Sequence, residues 1–141
     1  MEDLGKNEDF LIEISKDQAH AIITEYYKRY ENFHGKIIFS LYCKGLPDGW
    51  GFTDYYGRLD LKFIDKIKIL DQEVEKTTYI RYEDLDFPKI FRPFFDNDEY
   101  ELTNKWALDM DVDEDKYPPY TTFNGIKLWA KRKEKEKILK K

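Results

Sequence analysis

The sequence predicts an α+β domain, and three observations predict it. Between Ala19 and Phe33 the apolar residues recur at steps of three and four, the spacing of one helix face. From Lys36 onward they recur at every second residue, the spacing of strands. Short turn signals separate those strands, so the simplest architecture is a twisted, largely antiparallel sheet with the N-terminal helix packed on one face.

Taken in order, Phe10, Leu11, Ile12 and Ile14 form a first strand after a polar start. Ser15 and Gln18 have the spacing of a capping box, in which the hydroxyl accepts from a free backbone N–H and the amide reaches back. The helix that follows gathers Ala19, Ile22, Ile23, Tyr26, Tyr27, Tyr30 and Phe33, and Gly35 after His34 is a natural stop. Ile37, Phe39, Leu41 and Cys43 alternate with Ile38, Ser40 and Tyr42, as in a strand buried on much of both sides. Gly45 to Gly49 breaks this strand, Trp50 to Phe52 resumes it, and Tyr55-Tyr56-Gly57 turns the chain again.

Leu59, Leu61 and Phe63 alternate with Arg58, Asp60 and Lys62, and a bulge near Ile64 and Asp65 is expected to shift the phase. Thr77 to Tyr82 is rich in strand formers. Pro88 can open a short helix and Pro93 can end it. Trp106, Leu108, Met110 and Val112 alternate with Ala107, Asp109 and Asp111 in the clearest strand of the chain. Tyr117-Pro118-Pro119-Tyr120 reads as a rigid link, and Asn124-Gly125 between two apolar segments reads as a hairpin turn.

With 141 residues the expectation is a single domain over 1–130, followed by a basic C-terminal tail over 131–141 that is either a helical extension or disordered. Charged residues make up 38% and hydrophobic residues 41%, a combination that folds. The 11 Tyr, 10 Phe and 3 Trp exceed what a core alone needs, so some rings should lie on a sheet face or at an interface. Cys43 is the one cysteine and has apolar neighbours, which suggests a buried thiol in a reducing compartment. The first residues lack the basic start and apolar stretch of a signal peptide, and no run approaches the ~20 apolar residues of a membrane span, so a cytoplasmic protein is expected.

Chemistry finds little support. His20 and His34 have no partner at a spacing that builds a metal site or a nucleophile pair, and Cys43 with a distant histidine is no more specific. Gly49-Trp50-Gly51 lacks the later glycine and the lysine of a nucleotide loop. A calcium loop counted from Asp111 places Lys116 where glycine is required and Thr122 where a bidentate Glu is required. Counted from Asp109, it places Glu114 and Tyr120 at those positions. Dispersed carboxylates such as Asp54 and Glu83 form no pair. The expectation is a protein without catalytic, cofactor or metal residues.

What remains is charge. Lys127 to Lys141 holds eight cations against Glu134 and Glu136, a net of +6, which leaves −11 on residues 1–126 of a chain whose net charge is −5. Asp109, Asp111 and Asp113 recur at strand period, with Glu114 and Asp115 beside them; Asp96, Asp98, Glu99 and Glu101, or Glu83, Asp84 and Asp86, could extend the stripe. Such a stripe is either a solvated strand face or a surface offered to a basic partner, where complementary charge speeds encounter. In the second reading Trp50, Tyr117 and Tyr120 are the aromatic anchors. The expectation is a small acidic protein-binding module, an inhibitor or immunity-type protein that neutralises a toxin, a nuclease or another nucleic-acid-binding protein. The alternatives are nucleic-acid binding through the basic tail with aromatic stacking from the sheet, and an enzyme.

Overall fold

The structure, a computed structural model, describes residues 9–47, 49–113, 115 and 120–133, without the side chains of Lys44, Asp54 and Tyr56. Its elements are β1 (Phe10–Ser15), α1 (Lys16–Tyr30), β2 (Lys36–Pro47), β3 (Thr53–Ile69), β4 (Gln72–Arg81), a 3₁₀ turn (Tyr82–Asp84), α2 (Phe87–Phe95), β5 (Tyr100–Asp113) and β6 (Tyr120–Arg132). The α+β class and antiparallel pairing hold, but the strands divide into two three-stranded sheets rather than one. β6 is central between β1 and β5, and β3 is central between β2 and β4.

Both sheets turn one face to a common core. Ile37, Leu59, Leu61 and Phe63 come from one sheet, and Phe123, Ile126, Leu128 and Ala130 from the other. The Phe39 and Phe123 rings meet edge to face at 5.1 Å, and Thr121 Oγ1 donates to the Tyr42 carbonyl at 2.6 Å. Helix α1 supplies Ala19, Ile23 and Tyr26 to this core and packs on β2, β6 and α2. Its capping box forms as the sequence predicts: Gln18 N donates to Ser15 Oγ, and Ser15 N to Gln18 Oε1. The helix ends at Tyr30, short of Gly35, because Asn32 takes a positive φ of 54° and turns the chain out. Gly35 serves another purpose, since a Cβ there would overlap the Ile64 carbonyl of the neighbouring strand. No helix among the described residues is long and apolar enough to cross a membrane.

Several local signals yield to tertiary context. Tyr55-Tyr56-Gly57 does not turn: β3 runs straight through it, and the Thr121 methyl occupies the place a Cβ on Gly57 would take. No bulge interrupts β3 at Ile64 or Asp65, where the register with β4 is continuous. Ile67 and Ile69 lie four and six residues after Phe63 and so share its face without a phase shift, on a stretch of β3 and β4 that leaves them 40% and 50% exposed. Strand β2 is less buried than its sequence pattern predicts: Ile37 is buried, Phe39 and Cys43 are half-buried, and Leu41 on the same face is as exposed as Ile38 and Tyr42 on the other. Pro93 sits inside α2, and that helix continues to Phe95.

The Asn124-Gly125 hairpin does not form either. Phe123 and Ile126 both point into the core, which requires two residues between them where strict alternation allows one or three; Asn124 is the extra residue of a bulge opposite Asp109 and Met110. Gly125 is needed because β1 passes so close that a Cβ would overlap the Ile14 carbonyl oxygen.

The β3–β4 connection is a hairpin that the sequence does not announce. Leu70 and Asp71 have φ of 51° and 67°, the left-handed region at both central positions, and Leu70 is 92% exposed. Replacing this pair, Leu70→Asn with Asp71→Gly, is expected to stabilise the protein by about 1 kcal/mol, since Asn tolerates the left-handed region better than Leu and Gly enters it without the Cβ clash. A rise in the urea midpoint checks it; an unchanged midpoint would mean that the hairpin opens before the domain unfolds.

Candidate functional site

The carboxylates predicted to share a strand face do so. On β5, Trp106, Leu108 and Met110 pack on the core, so Asp109, Asp111 and Asp113 point outward at intervals of about 7 Å. The bulge lies on β6 and leaves their alternation intact. Register places Asp111 opposite Thr122 and Asp113 opposite Tyr120, which is 46% exposed. Asn124 Nδ2 donates to Asp111 Oδ2 at 3.0 Å, and the Asp115 backbone N–H donates to Asp113 Oδ1 at 3.1 Å. Among the described residues no cation is ion-paired to Asp109, Asp111 or Asp113.

The face has a direction. Toward its other end β5 and β6 carry Lys127, opposite Ala107, then Lys105, whose ammonium lies 4.5 Å from the Trp129 ring centroid, and Lys131, which pairs with Glu101 at 3.7 Å. Negative charge is therefore concentrated where β5 leads into β6. Asp96 and Glu101 do not extend the stripe: they lie at the opposite end of β5, where Asp96 Oδ1 accepts from Leu102 N at 2.8 Å. Glu83, Asp84 and Asp86 line a separate cleft with Trp106, and Asp86 caps α2 by accepting from Lys89 N.

Of the proposed anchors, Tyr120 adjoins the carboxylates. Trp50 is 84% exposed at the tip of the β2–β3 connection, held between Gly49 and Gly51 at φ of 88° and 90°. That tip lies beyond the Tyr42–Thr121 contact by five residues of β2, about 17 Å of strand, and belongs to the other sheet from Asp109 and Asp111. Glu114 and Tyr117 fall outside the described residues. Thr122 and Asn124 belong to this face and were concealed by the apparent turn; the signal that could have found them is the polar, apolar, polar order of Thr122, Phe123 and Asn124.

The histidines are tied to the backbone and to a neighbouring amide. His20 Nε2 donates to the Ile37 carbonyl and its ring meets Phe39 edge to face, while His34 Nε2 lies 2.9 Å from Asn32 Oδ1. Among the described residues no group of three or more His, Cys, Asp or Glu side chains is placed to hold a metal ion.

Fold and face together define a small α+β domain with an open sheet face that is acidic at one end. Comparison with known protein families, with curated proteins and with solved structures gives no match.

Proposed function

We propose that this chain is a protein-binding module whose outward β5–β6 face engages a basic partner, in the manner of an inhibitor or immunity-type protein that neutralises a toxin, a nuclease or another nucleic-acid-binding protein. One observation carries the reading: three carboxylates at regular spacing on one strand face, unpaired by any described cation, with an exposed tyrosine across from Asp113. Like charges about 7 Å apart repel, and a partner bearing Lys or Arg relieves that repulsion as it docks. The tyrosine adds apolar area at small entropic cost.

The test begins with affinity capture from the native cell and continues with association kinetics on the captured basic protein. Neutralising the stripe, Asp111→Asn with Asp113→Asn, is expected to slow association by about tenfold at low salt, with the two rate constants converging as salt is raised. Equal rates at every ionic strength would remove the stripe from the interface. Any version lacking the tail should end at Lys133 and not at Ala130, because Lys131 and Arg132 are still part of β6.

A further inference from the structure

The second sheet has an outward face of the opposite sign. Since Ile37, Leu59, Leu61 and Phe63 point into the core, the residues between them on β2 and β3 point away from it, as do their partners on β4. Register arranges these in rows: Lys36, Ile64 and Thr77; then Ile38, Lys62 and Tyr79; then Ser40, Asp60 and Arg81; then Tyr42 and Arg58. Within these rows Lys36, Arg58, Lys62 and Arg81 stand with one carboxylate, Asp60, so four cations less one anion leave +3 on a chain whose total is −5; toward the β3–β4 hairpin the same face continues with Lys66 opposite Glu75 and Lys68 opposite Glu73, two pairs that cancel. Asp60 is 5% exposed, and Arg58 Nε holds it at 3.1 Å. Tyr42 and Tyr79 are 41% and 53% exposed, and each ring has a cation beside it, Arg58 and Lys62 respectively, at 5.9 Å from the centroid.

We propose that this face binds single-stranded nucleic acid. Cations on an open sheet attract any polyanion, and exposed rings among them favour one whose repeating units are flat and unpaired, because every base offers a face to stack on. The two tyrosines are two strands and four residues apart in register, about 17 Å, so one strand of several nucleotides spans both while its phosphates pass Lys62, Arg58 and Arg81. A duplex hides its base faces and engages only the charges. The face is distinct from the acidic one on β5 and β6, so the failure of either leaves the other standing.

Fluorescence anisotropy of a labelled oligothymidylate of ~10 nucleotides, titrated with the full chain, tests this. Binding is expected with a dissociation constant of about 10 μM at low salt, and its logarithm should vary with that of the salt concentration with a slope of about 2 to 3 in magnitude, as for three or four neutralised phosphates. Tyr79→Leu should weaken binding about tenfold, and Lys62→Ala should weaken it and flatten the slope by about 0.7. Circular dichroism verifies that the variants are folded, and Arg81→Ser, at an exposed strand end, repeats the charge test. Failure to bind, equal affinity for duplex, or binding that survives these substitutions but is lost on removal of residues 134–141 would each overturn the proposal. So would tighter attachment to phosphatidylserine vesicles that is indifferent to Tyr79→Leu.

Discussion

Substitution of Phe91 by alanine is expected to destabilise the protein by about 4 kcal/mol, a large part of the ~5–15 kcal/mol that holds a domain of this size together. Phe91 is fully buried on α2, between the Phe87 ring at 6.0 Å and the Phe95 ring at 6.1 Å. Phe87 in turn meets Trp106 of β5 edge to face at 4.7 Å. The helix packs on β5 and α1, so the cavity opens where three elements meet and none can move in without leaving the others. Urea unfolding followed by tyrosine and tryptophan fluorescence checks this through a lowered midpoint at unchanged slope. A loss below about 1 kcal/mol would mean that α2 repacks freely.

Replacing Gly125 with alanine is expected to cost about 3 kcal/mol. The added methyl would overlap the Ile14 carbonyl oxygen and approach Ser15 Cα to 3.1 Å, so β1 must shift away from β6 or β6 must flatten its bulge. The amides of β1 should then exchange with solvent faster than those of β5, because β1 is the strand displaced. In an exposed Asn-Gly turn the same change would leave the β1 amides as protected as before. Amide exchange therefore distinguishes the bulge from the turn directly, and unaltered protection of β1 would contradict the close approach of β1 to Gly125.

Two local readings of the sequence survive unchanged in this protein. The capping box at Ser15 and Gln18 involves neighbours three residues apart, and the outward row of Asp109, Asp111 and Asp113 needs only the two-residue period of a strand. The α+β class follows from the same periodicities, helical in α1 and alternating in β2, β3 and β5.

Tertiary contacts decided the remainder, and glycine is the clearest instance. Gly35, Gly57 and Gly125 look like turn residues, yet each sits where the backbone or side chain of another element fills the space of its missing Cβ: the Ile64 carbonyl, the Thr121 methyl and the Ile14 carbonyl. A local pattern cannot distinguish a glycine that bends the chain from one that lets a distant strand come close. The division into two sheets is of the same kind, since it depends on β6 passing between β1 and β5, strands separated from each other by most of the domain. So is the basic face: Ile38, Lys62 and Tyr79 are far apart along the chain and become one row only when β2, β3 and β4 pair in register. Periodicity shows which way a side chain points, but only long-range pairing selects the side chains beside it.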